Sequence, residues 1–191
     1  MRELRTALLV LVAMTGLTGV AYPLAVTVLA QTVFPWQANG SLVVDDDRIR
    51  GSALIGQPFD DPAHFWSRPS VTARFPYDAA ASAGSNLGPT SEALLDAVRD
   101  RVAALRASDP DNRTQIPVDL VTASASGLDS DLSPAAARWQ VRRVARARGL
   151  SLTAIEALIA EHTEGRWLGV FGEPRVNVLA LNLALDRVHG R

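Results

Sequence analysis

The chain lacks cysteine entirely, and all 19 of its basic residues are arginine. Without cysteine there are no disulfides, no thiolate nucleophile and no Cys-based zinc or iron–sulfur site. Without lysine there is no Walker-type phosphate loop, no Schiff base and no Ser–Lys hydrolase pair. A net charge of −1 argues against a nucleic-acid partner, which calls for a basic surplus. Histidine is scarce too. His64, His162 and His189 stand apart in the sequence, none at metal-ligand spacing, so no metal site is expected.

What is present begins with a long charge-free stretch. No ionisable acid or base falls between Arg5 and Asp45, and from Thr6 to Ala30 the sequence is nearly all apolar. About 20 helical residues cross a bilayer core, so a transmembrane helix is expected over about 7–29, within an anchor over 1–30. Gly16, Gly19 and Pro23 would weaken a soluble helix. In a membrane they are tolerated, and they mark a face for packing against a partner helix. Arg2 and Arg5 precede the run and the next basic residue is Arg48. The positive-inside rule therefore puts the N-terminus in the cytoplasm and the rest outside. A cleaved signal peptide is the alternative, and the length of the run favours the uncleaved anchor.

A juxtamembrane linker is expected over 31–41, with Phe34 and Trp36 suited to the interface. A soluble domain over 42–191 follows. Leu42 to Val44 and Ile49 to Gly51 flank Asp45-Asp46-Asp47 and read as a β-hairpin, with Ser52 to Gln57 as a prolongation of its second strand. Residues 58–90 are rich in Pro, Ser, Gly and Ala; a loop that long is either functional or folded against something. Helices are predicted after Pro89 (Leu94, Leu95, Val98, Val102 and Leu105 on one face), from Ser133-Pro134 to a stop at Gly149, after Ser151 (Leu152, Ile155, Leu158 and Ile159 inward), and over 177–188. Val118 to Val121 is a strand candidate. The class is α+β, helix-dominated, with a small hairpin or sheet.

No nucleophile–base pair stands out, and Gly-x-Ser-x-Gly is absent. An anchored enzyme outside the membrane would need a nucleophile–base pair or a metal cluster, and the residues show neither; a secreted or anchored extracytoplasmic binding protein without enzymatic activity is the alternative reading. Arg138, Arg142 and Arg146, with Arg143 beside them, read as a solvated helix face before an anion grip. The stretch from Val121 to Asp129 is either an anion-cradling loop or a tight turn. Asn39-Gly40-Ser41 and Asn112-Arg113-Thr114 match the glycosylation acceptor pattern, a weak signal.

A series of short pieces in fixed order carries a more specific message. They are Phe-Pro-Trp-Gln-Ala-Asn-Gly-Ser-Leu (34–42), Gly-Ser-Ala-Leu-Ile-Gly-Gln (51–57), Ser-Arg-Pro-Ser (67–70) and Gly-Ser-Asn-Leu-Gly-Pro-Thr (84–90). Leu-Val-Thr-Ala-Ser-Ala-Ser-Gly-Leu-Asp (120–129), Arg-Val-Ala-Arg-Ala-Arg-Gly-Leu (143–150) and Asn-Val-Leu-Ala-Leu-Asn-Leu-Ala-Leu-Asp (177–186) complete it. Together they resemble the C-subunit family of the bacterial Kdp potassium-transporting P-type ATPase; Ala83 departs from the family's Gly. The resemblance implies an accessory, non-catalytic, single-pass subunit of the bacterial inner membrane. Its partners would be a channel-like potassium-selective subunit, a P-type ATPase subunit and a very small membrane peptide. It also implies a catalytic-chaperone role that promotes ATP binding, with Ser124, Ser126, Gly127 and Asp129 as nucleotide-contact candidates. Trp36, Asn39, Ser85 and Asn86, in the matching pieces, are candidates for partner contact. The P-type phosphorylation motif Asp-Lys-Thr-Gly requires lysine, so that chemistry would lie on another chain. With the domain outside, ATP would act here only indirectly, through the complex, and no tightly bound cofactor is expected.

Overall fold

The structure, a computed structural model, describes residues 1–189, apart from the His189 side chain. The side chain of His189, one of the three histidines that stand apart in the sequence, therefore lies outside the described residues. The chain divides into two compact units, Met1–Arg50 and the remainder from Gly51.

The first unit is led by an unbroken helical rod, Arg2–Val33, of 32 residues. At 1.5 Å per residue it measures roughly 48 Å, ample for a hydrocarbon core of about 30 Å. It has three parts: α1 (Arg2–Met14), a π-helical segment (Thr15–Ala21) and α2 (Tyr22–Val33). The wide turn has a local cause. Pro23 lacks an N–H, and its ring crowds the carbonyl one turn earlier. The backbone bonds just before it reach back five residues, from Tyr22 N–H to the Leu17 carbonyl.

The helix passes both ends of the expected span and takes in 31–33, the start of the expected linker. The rest of that segment is folded as well. A short helix α3 (Pro35–Ala38) follows, the Asn39 amide donates to Gln31 Oε1 at 3.1 Å, and the Trp36 indole donates to the Leu42 carbonyl at 2.9 Å. Strands β1 (Leu42–Asp45) and β2 (Arg48–Ser52) form the anticipated hairpin. Residues 53–57 do not prolong it, because the chain turns at Ala53–Ile55.

In the second unit, α4 (Glu92–Ser108), α5 (Pro134–Arg148), α6 (Leu152–Glu161) and α7 (Val178–His189) supply most of the core. Their ends follow the sequence signals. Ser133 Oγ accepts from Ala136 N–H and Ser151 Oγ from Ala154 N–H, both at 3.1 Å. Gly149 closes α5 in the left-handed conformation. Val144, Ile155, Ile159, Leu181 and Leu185 are fully buried together. Leu152 and Leu95, expected inward, are exposed: each lies at the edge of its helix's stripe.

Three short strands, β3 (Asp131–Leu132), β4 (Thr163–Glu164) and β5 (Arg175–Asn177), make an antiparallel sheet in the order β3-β5-β4. The sequence reading missed all three, since two or three residues cannot display an alternating pattern. The expected strand at Val118–Val121 is instead a 3₁₀ turn, with Val121 and Thr122 amides both bonded to the Val118 carbonyl.

The long segment 58–90 has almost no regular structure, yet it is folded against the helices. Phe65 is fully buried, and side chains of α5 and α7 satisfy the backbone around it. Asn182 accepts from Phe65 N–H (2.8 Å) and donates to the Phe65 carbonyl (2.9 Å). Gln140 does the same for Trp66, at 2.8 and 3.1 Å. The Arg143 guanidinium donates to the carbonyls of Pro62 (2.6 Å) and His64 (2.9 Å) and to Gln140 Oε1 (2.6 Å). It also stacks over the Trp66 ring at 4.1 Å. Burial lowers its pKa to about 10, so it keeps its charge at neutral pH.

Arg143 is therefore a buried tie and not part of the solvated arginine face. Replacing it with Met removes the guanidinium donors from the Pro62 and His64 carbonyls and leaves Gln140 Oε1, in the buried interior, with one partner fewer. Arg143→Met is expected to cost about 3 kcal/mol and to lower the melting temperature of the full chain in detergent by roughly 10 °C. An unchanged transition in differential scanning calorimetry would remove Arg143 from this role.

Candidate functional site

Three of the pieces that carry the resemblance, 51–57, 67–70 and 120–129, meet in space. Three loops, 51–57, 67–84 and 120–133, pack into one junction. Gly56 N–H donates to the Leu128 carbonyl (2.9 Å), and Ala83 N–H to that of Ser126 (3.0 Å). Ser70 Oγ donates to the Gly127 carbonyl at 2.7 Å. The contact is too close for side chains at its centre. A Cβ on Gly56 would lie 2.3 Å from the Asp129 carbonyl oxygen. A Cβ on Gly127 would lie 2.6 Å from Thr72, and Gly127 itself has φ +68°.

The four nucleotide-contact candidates all lie in this junction. Ser124 Oγ accepts from Gly127 N–H (2.9 Å), and Ser126 Oγ from Leu128 N–H (3.1 Å). Asp129 receives Arg68 Nη1 at 3.0 Å and the Asp131 amide at 3.1 Å. Arg68 Nε reaches the Thr122 carbonyl at 3.2 Å. The Ser and Gly groups thus hold each other and the neighbouring loops. The Tyr77 hydroxyl donates to the Arg68 carbonyl at 2.5 Å, and burial raises its pKa to about 12.

Beside the junction is a depression of about 650 Å³ lined by Asp119, Asp129, Asp131 and Glu173 with Arg68 and Arg175. Burial raises the Asp131 pKa. Four carboxylates and two guanidiniums line it, with Asp129 paired to Arg68, Asp131 to Arg175 and Glu173 to Arg166.

The other candidates lie apart. Ser85 and Asn86 occupy an exposed turn, where Asn86 has φ +52° and Ser85 Oγ is 3.4 Å from Leu87 N. Trp36 and Asn39 belong to the first unit, as do Gly16, Gly19 and Pro23. Both helix glycines lie on the π segment with open space beside them; the nearest atom to a Cβ on Gly19 is Thr15 Cγ2, at 3.8 Å. Among the other sequence matches, Asn112 is buried with its amide on the Trp139 carbonyl at 3.0 Å, closed to glycosylation. Arg138, Arg142 and Arg146 are exposed, and Arg146 is paired with Asp109 at 3.1 Å.

Sequence reasoning treated His64 as isolated, but the fold gives it partners. Its Nε2 is 3.0 Å from Asp186 Oδ1 and its Nδ1 is 3.4 Å from Asp61 Oδ2. Arg148 bonds Asp186 at 2.5 Å and the Ala63 carbonyl at 2.8 Å. The Ala63 amide holds the Asp61 carboxyl below its usual range. Arg148 and Asp186 lie 84 and 122 residues from His64, and that separation hid the cluster. Among the described residues no serine or threonine hydroxyl bonds into it, so it lacks the layout of a hydrolytic triad. No group of three or more metal-binding side chains appears among the described residues.

The glycine-tight junction and the buried ties account for the spacing of the pieces, and comparison with known proteins gives the pattern a family. The family model described as "K+-transporting ATPase, c chain" matches residues 4–187. This chain belongs to the KdpC family. It is 63% identical over 184 residues to the potassium-transporting ATPase KdpC subunit of Sorangium cellulosum, covering 96% of this chain and 97% of that one. The KdpC subunit of Polaromonas naphthalenivorans is 62% identical, with 96% and 93% covered. That of Herpetosiphon aurantiacus is 58% identical, with 96% and 95% covered. The KdpC match includes the apolar helix, which is long and apolar enough to cross a membrane and fits a membrane location.

The junction can be probed through its glycines. Gly56→Ala and Gly127→Ala should each destabilise the chain by about 2–4 kcal/mol, since backbone or packed side chains would have to move. Gly88→Ala, with open space around it, should change stability by less than about 0.5 kcal/mol. Equal melting temperatures for all three variants would show that the loops are not in close contact.

Proposed function

We propose that this chain is the membrane-anchored, non-catalytic subunit of an ATP-driven potassium-uptake complex. The family match over 4–187 carries the reading. The composition supports it: a chain without lysine cannot hold the phosphorylation motif of a P-type ATPase, so the aspartyl-phosphate chemistry belongs to another subunit. The partners are a channel-like potassium-selective subunit, the P-type ATPase subunit and a very small membrane peptide.

The N-terminus lies in the cytoplasm and the folded domain outside, on the charge asymmetry around the helix. The domain stabilises the assembly and acts as a catalytic chaperone. ATP affinity is raised through coupled conformations across the membrane rather than by direct contact. The junction geometry favours this indirect route, because Ser124, Ser126 and Gly127 are engaged with their own loops. In the membrane, the bare backbone at Gly16 and Gly19 seats a partner helix.

Purified complex should show potassium-stimulated ATP hydrolysis that is lost when this chain is omitted, and the chain alone should show none. Gly16→Leu with Gly19→Leu should lower both the recovery of the other subunits in mild detergent and that activity. ATP hydrolysis by the isolated chain, or full activity without it, would overturn the reading.

Orientation has its own test. Gln115→Cys puts one thiol on an exposed loop of a cysteine-free chain. Intact cells should label with a membrane-impermeant maleimide; labelling only after lysis would place the domain in the cytoplasm.

A further inference from the structure

The connection between β4 and β5 is an ordered hairpin tip that no other described residue covers. Trp167 and Phe171 face each other across a β-bridge, their backbones bonded in both directions at 2.9 Å and their rings 5.7 Å apart. Between them run Leu168, Gly169 and Val170. Trp167 is 68% exposed, Leu168 73%, Val170 72% and Phe171 60%. Leu168 is held at φ +52°, a conformation a leucine adopts at a cost. Below the tip the hairpin is closed by charge. Arg166 binds Glu173 through both carboxylate oxygens (2.8 and 2.7 Å), and Arg175 binds Glu164 at 2.8 Å.

We propose that this tip inserts into the interfacial layer of the lipid bilayer, a second membrane contact besides the helix; the proposal rests on the reading of that helix as an anchor. Three observations favour lipid as the occupant. First, four of the five amides over 167–171 are already satisfied: Trp167 and Phe171 bond each other, Gly169 bonds the Arg166 carbonyl (3.1 Å), and Val170 bonds that of Trp167 (3.2 Å). A segment entering lipid must satisfy its own amides, whereas one entering a protein pocket need not. Second, the chemistry is layered. Four apolar side chains form the tip without any charge between Arg166 and Glu173, and two balanced ion pairs form the base. Aromatic rings with a polar edge are the side chains that settle at headgroup depth. Third, only residues 34–50 separate the apolar helix from Gly51. Fully extended, that stretch spans at most roughly 60 Å, an upper bound on the distance from the end of the helix to Gly51. The tip charge is zero, so insertion needs no anionic lipid.

The test uses the full chain in phosphatidylcholine vesicles that carry nitroxide-labelled lipid. A polarity-sensitive bimane is placed on a single cysteine at Val170→Cys, at Leu17→Cys in the helix, or at Gln115→Cys on the exposed loop. Val170→Cys should be quenched several-fold more than Gln115→Cys and should emit further to the blue. Adding Trp167→Ser and Phe171→Ser, both at exposed positions, should return it to the Gln115→Cys level. Quenching of Leu17→Cys alone would overturn the hairpin proposal and leave the anchor standing. Quenching of neither would remove the anchor, and the proposal with it. A Val170→Cys signal that stays aqueous in vesicles and shifts only when the other subunits are added would assign the tip to an apolar pocket on a protein, also overturning lipid insertion.

Discussion

Buried amide and guanidinium groups hold the second unit together at the place where secondary structure fails. A strand running beside α5 and α7 would ordinarily find its hydrogen bonds on a neighbouring strand. The segment around Phe65 has no such neighbour. Asn182 and Gln140 each present one donor and one acceptor to a single residue's backbone, as a strand partner would. Arg143 supplies the donors for the carbonyls just upstream. Bonds of this kind, in a site shielded from water, cost far more to lose than their net worth when made. They let a Pro- and Gly-rich loop bury an aromatic ring without a sheet to carry it. The three-loop junction then forms along the same segment, further on.

Much of this framework was legible in the sequence. The apolar run announced the long helix, and Ser133-Pro134, Gly149 and Ser151 marked the ends of α5 and the start of α6 by capping chemistry alone. The strands β3 to β5 were hidden because each is too short to show a period. Val118 to Val121 misled because β-branched residues favour strands only in a pleated context, and Pro117 opened a turn instead. The buried ties left a fainter trace. Gln140, Arg143 and Asn182 occupy inward positions of otherwise apolar helical stripes, a polar residue where Leu or Val would be expected. That anomaly identifies a residue with a buried partner, but not which loop the partner is on. The His64 cluster left no trace, since its members come from three distant segments.

The candidate site was legible as a pattern before it was legible as a structure. The repeated Gly and Ser pieces suggested loops built to cradle something, and in the fold they cradle one another. Glycine at 56 and 127 is required by other backbones and packed side chains. The resemblance rested on these same pieces, and the family match over almost the full chain agrees with it.

The join between β5 and α7 has a mechanical meaning. The strand ends at Asn177 and the helix begins at Val178, with no intervening residue. Asn177 caps the helix through Ala180 N–H (3.0 Å) while its amide grips the Ala53 carbonyl (3.0 Å) and Asp131 (3.1 Å). One turn further along α7, Asn182 clamps Phe65. A joint without slack behaves as a stiff lever. Push on the hairpin, and the load passes through Asn177 into the helix and the loop it holds, with no hinge on the way to absorb the stroke.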